Sequence, residues 1–240
     1  MVLYGEEISV KEVAFATAER TVLLRLFAST DDGPQPAIVL LHGGRGYRAQ
    51  HHLYDRYATM LAAHGYNAYV ALYYDAADER VMSAPDRAGR LATFQRRLHS
   101  WIATVRESID HVAQQPTTDA RRLGLLGFSN GGFLAIGAAG FGSRISAVVE
   151  VYGGMPSALG DRIEHLPPTL ILHGDADTVV PVDEAYALAR FLQQRAIAYA
   201  MHIYPGGQHG FDADPTSSYA RDAQERTLNF FDTHLVGTAR

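Results

Sequence analysis

The hydrophobic pattern of this 240-residue chain alternates between two periods. Short apolar runs rich in β-branched and aromatic residues fall at 8–15, 21–28, 37–41, 67–73, 123–126, 147–151, 169–172 and 199–204. Runs of that length and composition predict strands. Between them, residues 53–64, 87–114, 131–139, 183–194 and 217–234 carry apolar positions three and four apart, the spacing of a helix that buries one face. The first two strands are joined by a polar turn and read as an antiparallel entry. From residue 37 onward strands and helices alternate, which predicts an α/β fold with a mostly parallel sheet of about eight strands and helices on both faces. Ala37-Ile38-Val39-Leu40-Leu41 is apolar throughout, as a strand covered on both sides must be. Asp31-Asp32-Gly33-Pro34 breaks the chain before it, a turn signal. Residues 75–90 are polar and irregular and read as a surface loop crossing near the site. With no internal repeat, low-complexity tract or linker, residues 1–240 read as a single domain.

Composition narrows the function classes. Hydrophobic residues make up 47% and charged residues 20% of the chain, the balance of a globular protein with a real core. A net charge of −5 argues against a general nucleic-acid binder and toward small-molecule partners. Cysteine is absent, which excludes disulfides, thiolate catalysis and cysteine metal sites. Met1-Val2-Leu3-Tyr4-Gly5-Glu6-Glu7 lacks the basic and apolar regions of a signal peptide, and no run reaches bilayer-spanning length. The expectation is a cytoplasmic protein without a membrane partner.

One constellation carries chemistry. Arg122-Leu123-Gly124-Leu125-Leu126 leads into Gly127-Phe128-Ser129-Asn130-Gly131-Gly132 and then into the apolar run Phe133-Leu134-Ala135-Ile136. Strand, tight turn and helix are the context of a nucleophile elbow, in which flanking glycines let the backbone turn and lift the serine Oγ above the sheet. Serine is also a preferred helix N-cap, and the motif alone does not separate the two readings. Further along, His173-Gly174-Asp175-Ala176-Asp177 places carboxylates at the end of one strand, and Tyr204-Pro205-Gly206-Gly207-Gln208-His209 places a histidine after the last. The chain order Ser, Asp, His is that of the α/β-hydrolase fold. In such a site His209 takes the proton of Ser129, and Asp177, with Asp175 as its competitor, orients the ring. The oxyanion of acyl transfer needs two backbone N–H groups. Asn130 supplies one, and the loop His42-Gly43-Gly44-Arg45-Gly46 supplies the other. His51 and His52 could suggest a metal pair, but neighbours on a helix point apart. His173 precedes the acid on the strand itself and reads as structural. No metal or organic cofactor is called for, since a triad needs neither.

With these motifs the chain resembles the dienelactone hydrolase family, through His42-Gly43-Gly44-Arg45-Gly46, the elbow, His173-Gly174 with Asp177 and Val180-Pro181, and Tyr204-Pro205-Gly206-Gly207-Gln208-His209-Gly210-Phe211. The resemblance implies an α/β-hydrolase fold without a large cap domain, Asp177 as the triad acid and Gly44 as the second oxyanion donor. Dienelactone hydrolases proper carry a cysteine nucleophile and an oxyanion-loop glutamate, where this chain has Ser129 and Gly43. The departure points to the esterase-type members, which cleave simple carboxylic esters. A weaker similarity to acyl-protein thioesterases and short carboxylesterases runs through the elbow and the Asp-x-x-Val-Pro loop.

Residues beyond the carboxyl ends of the strands are pocket candidates. They comprise Gly43 and Arg45 of the oxyanion loop and the aromatic Tyr47, Tyr73, Tyr74, Phe128 and Tyr152, which could clamp an acyl group. Arg45, Arg87 and Arg90 are candidates for a substrate carboxylate. The expected activity is serine hydrolysis of a small-molecule ester. The competing expectations are a peptidase, amidase or thioesterase on the same triad, and a hydrolase-fold protein that only binds a ligand.

Overall fold

The computed structural model describes residues 8–29, 33–142, 144–156, 158–163 and 165–237. The reading of Met1 to Glu7 and the Asp31-Asp32 part of the predicted turn lie outside these residues.

Eight strands form one sheet: β1 (Ser9–Ala16), β2 (Thr21–Ala28), β3 (Gln35–Leu41), β4 (Asn67–Leu72), β5 (Thr118–Phe128), β6 (Ile145–Val151), β7 (Thr169–Gly174) and β8 (Tyr199–Tyr204). Their spatial order is β1-β2-β4-β3-β5-β6-β7-β8. The β1–β2 and β2–β4 pairs are antiparallel and all others parallel. The helices are α1 (His51–Ala62), α2 (Ala76–Ser83), α3 (Arg87–Ala113), α4 (Asn130–Gly140), α5 (Asp183–Gln194) and α6 (Ser218–Phe231), the last continuing into a π-helical turn at Asp232–Val236.

Strand periodicity sorts the core into two layers. Along β3, Ala37, Val39 and Leu41 join a cluster with Trp101 and Val105 of α3, Leu134 of α4 and Leu188 of α5. Ile38 and Leu40 join a second cluster with Leu53 and Tyr57 of α1 and Ala223 and Phe231 of α6. Successive side chains of a strand point to opposite faces, so an all-apolar strand requires helices on both. Among the described residues no helix is long and apolar enough to cross a membrane.

Two expectations are corrected. Residues 75–90 are not a loop: they contain α2 and the start of α3. Asp75 accepts from the N–H groups of Ala77 and Asp78 at 2.8 and 2.7 Å, while Asp78 reaches back to the N–H of Asp75 at 3.3 Å. This is a reciprocal capping box in which aspartate replaces the usual glutamate or glutamine at its third position. Strand β5 also begins well before residue 123. Its polar start, Thr118 to Arg122, carries a 2.7 Å ion pair between Arg122 and Asp119.

Candidate active site

The turn from β5 to α4 is sharp because its glycines allow close backbone approach. A Cβ on Gly127 would collide with the carbonyl of Gly131, and one on Gly131 with that of Leu41. Ser129 sits between strand and helix at φ 53°, ψ −118°, a costly conformation for a residue with a Cβ. Its N–H donates to Val151 O at 2.8 Å, and its carbonyl accepts from Gly132 N–H at 2.8 Å. Ser129 does occupy the N-cap position, yet its side chain makes no capping hydrogen bond. The hydroxyl is turned away from the helix.

It meets His209. Ser129 Oγ lies 2.9 Å from His209 Nε2, and His209 Nδ1 lies 2.7 Å from Asp177 Oδ2. The other oxygen of Asp177 accepts from the N–H groups of Val179 and Val180 at 2.8 and 2.9 Å. Burial works to raise the Asp177 pKa, but the hydrogen bonds from His209, Val180 and Val179 outweigh it and hold the carboxyl below its ordinary range. Asp175 faces elsewhere and accepts from Gly206 N–H at 2.6 Å, pinning the turn after β8. His173 is fully buried and bonded through Nε2 to Val180 O at 2.9 Å, with Asp177 Oδ2 3.5 Å away. Burial lowers its pKa, so it buttresses the Asp177 loop as a neutral ring.

The loop after β3 is fixed by tyrosines. Gly43 N–H donates to Tyr54 OH at 2.8 Å, Tyr73 OH donates to His42 O at 2.6 Å, and the His42 ring stacks on Tyr73 at 4.0 Å. Burial pushes His42 down to about 4, so this ring is uncharged at neutral pH. The Gly43 N–H is committed to Tyr54, and neither the Gly44 nor the Asn130 N–H donates to an acceptor among the described residues.

Around these groups lies a cleft of about 540 Å³. Gly43, Gly44, Arg45, Ser129, Asn130, Tyr152 and His209 line it, together with Arg87 and Arg90. Arg45 Nη2 donates to Ser83 O at 3.4 Å and Arg90 Nη1 donates to Ala84 O, so both guanidinium groups cap the carbonyl end of α2. Tyr47, Tyr74 and Phe128 are not part of the cleft lining. Tyr47 packs beside Tyr54 with its hydroxyl on Asp55, Tyr74 lines a neighbouring cavity of about 910 Å³, and Phe128 is buried between Tyr54 and Tyr57. Phe94, Phe133, Val179 and Glu184 line the cleft and were missed by the sequence reading. The apolar spacing of Leu91 and Phe94 on α3 was the available signal. The expectation that His51 and His52 point apart is also corrected, since their rings are 3.8 Å from each other. No group of three or more metal-binding side chains gathers among the described residues.

Residues 24–235 match the dienelactone hydrolase family. The chain belongs to that family. A carboxymethylenebutenolidase of Rhodococcus opacus is 27% identical over 231 residues, 89% of this chain and 88% of that protein. Among solved structures, a dienelactone hydrolase-like promiscuous phosphotriesterase from metagenomic libraries superposes with a TM-score of 0.79 at 18% identity, covering 96% of this chain and 99% of that one. A hyperthermophilic esterase of Pyrobaculum calidifontis superposes with a TM-score of 0.73 at 17% identity, covering 95% of this chain and 87% of that one. These likenesses establish the α/β-hydrolase fold. Membership of the dienelactone hydrolase family makes the chain a hydrolase.

Proposed function

We infer that the protein is a serine esterase that cleaves small-molecule carboxylic esters through an acyl-enzyme on Ser129. The observation that carries this reading is the unbroken chain from Ser129 Oγ through His209 to Asp177, at 2.9 and 2.7 Å. His209 holds its proton on Nδ1, against Asp177, and presents Nε2 as the base. Ser129 attacks the ester carbonyl as its proton passes to His209. The resulting oxyanion takes hydrogen bonds from the free N–H groups of Gly44 and Asn130, which cost no reorganisation because the loop and the elbow already hold them. His209 then protonates the departing alcohol, and a water activated by the same ring releases the acid and restores Ser129. Gly43 stands where dienelactone hydrolases proper carry a glutamate, and Ser129 where they carry a cysteine. That difference supports simple esters rather than dienelactones as substrates. No cofactor enters the scheme.

Intact-mass analysis after fluorophosphonate treatment tests it. The wild type is expected to gain one adduct and Ser129→Ala none. An unlabelled wild type, or equal labelling of the variant, would refute the mechanism.

A further inference from the structure

His209 has a second neighbour that the triad does not use. Tyr152 directly follows β6 at φ 43°, and its ring centroid lies 4.8 Å from that of His209 at an interplanar angle of 60°. Its hydroxyl donates to Asp212 Oδ1 at 3.0 Å, and Tyr57 of α1 donates to Asp212 Oδ2 at 2.9 Å. Asp212 lies three residues beyond His209 and is fully buried. The Arg56 guanidinium bonds to the backbone carbonyl of Asp212, so among the described residues the two tyrosines are the side chains that donate to its carboxyl group. Burial raises the Asp212 pKa, and the two tyrosine hydroxyls and Arg56 pull it back.

Among the described residues no cation pairs with the Asp212 oxygens, and a buried carboxyl group of this kind is an expensive way to join two tyrosines when apolar packing would do the same at lower cost. What packing would not do is set the angle of one ring. Asp212 anchors the loop that carries His209 and, through Tyr152, the surface against which the imidazole lies. We propose that Asp212 and Tyr152 are positioning residues for His209: the Asp212-anchored Tyr152 ring fixes the tilt of the imidazole while Asp177 holds its Nδ1. The proposal rests on the esterase reading of the site for its catalytic consequence, but not for its geometric one.

Tyr57 provides the internal control, since it donates to the same carboxylate without touching His209. Tyr152→Phe, Tyr57→Phe and Asp212→Asn are compared by p-nitrophenyl acetate kinetics and by the far-downfield Nδ1–H proton resonance of His209. Tyr152→Phe is expected to lower kcat about tenfold with KM within about twofold, the pattern of a lost transition-state contribution. The same variant should weaken the downfield resonance through faster exchange, whereas Tyr57→Phe should preserve both kcat and the resonance while losing thermal stability. Asp212→Asn should behave as Tyr152→Phe, and if it does not fold, the tyrosine pair decides. Wild-type kcat with an unchanged resonance in Tyr152→Phe, or equal losses in Tyr57→Phe, would overturn the proposal. A wild type that neither turns over the ester nor takes a fluorophosphonate adduct would instead sink the esterase reading, and the resonance would still decide the positioning role.

Discussion

Asp177 Oδ2 lies 2.7 Å from His209 Nδ1, while Asp175, on the same loop, bonds to Gly206 N–H. Two carboxylates that compete in the sequence are thus divided between a ring and a backbone turn. Asp177→Asn should lower kcat by about 10³- to 10⁴-fold, because the amide favours the wrong histidine tautomer. Asp175→Asn should keep activity within about tenfold, since an amide oxygen can still accept from Gly206 N–H. Steady-state kinetics on one p-nitrophenyl ester decide the matter, and a larger loss at Asp175 would reverse the assignment.

The division between these aspartates shows which features were legible in the chain. Continuous apolar runs such as Ala37 to Leu41 announce a strand covered on both faces, and the glycines around Ser129 announce a turn, because each is a local constraint written in adjacent residues. The capping box of α2 carries no usual sequence mark, because Asp78 occupies the place where glutamate or glutamine is the signal. Tyr47, Tyr74 and Phe128 were expected in the cleft from their positions near strand ends. Their placement depends instead on what α1 and the oxyanion loop present to them, which is a tertiary fact. Asp212 gave no local sign, because its partners lie 155 and 60 residues away.

The elbow makes a stability prediction. Gly127→Ala places a Cβ against the Gly131 carbonyl, with backbone on both sides of the clash. Neither flank can give way without moving Ser129. The variant should lose about 3 kcal/mol or more, at the upper end of what overpacking costs, and its activity with it. Urea denaturation measures the loss, and wild-type stability would contradict the elbow geometry.

Asp78 binds the cleft wall together. It is buried and accepts from Trp101 Nε1 at 2.7 Å and from Arg97 Nε and Nη2 at 3.0 and 3.1 Å. Asp78→Ala leaves the indole N–H without a partner and the Arg97 guanidinium with only its 3.1 Å contact to Asp75, at a cost of about 2 kcal/mol. Because Arg45 and Arg90 both bond to the carbonyl end of α2, loosening this helix should also raise KM. Urea denaturation paired with ester kinetics tests both halves. A stability loss under about 1 kcal/mol would mean that the network is dispensable.

Glu150 couples stability to pH. It is fully buried beneath the elbow, its Oε1 accepts from Gly153 N–H, and its Oε2 has no hydrogen-bond partner among the described residues. Burial pushes its pKa from 4.5 up to about 8, partly offset by the Gly153 N–H and reinforced by Glu184. Between those values the native protein holds a proton that the unfolded chain has released. Stability therefore falls as pH rises, by up to about 1.4 kcal/mol per pH unit across that window, and levels off above the folded-state pKa. Glu150→Gln keeps the shape and removes the titration. Thermal denaturation should show variant and wild type nearly alike near pH 5, with the variant the more stable by a few kcal/mol near pH 9. Parallel stability curves for the two proteins would show that Glu150 is ionised in the native state at neutral pH, with an acceptor-filled site beneath Ser129 in place of a neutral one.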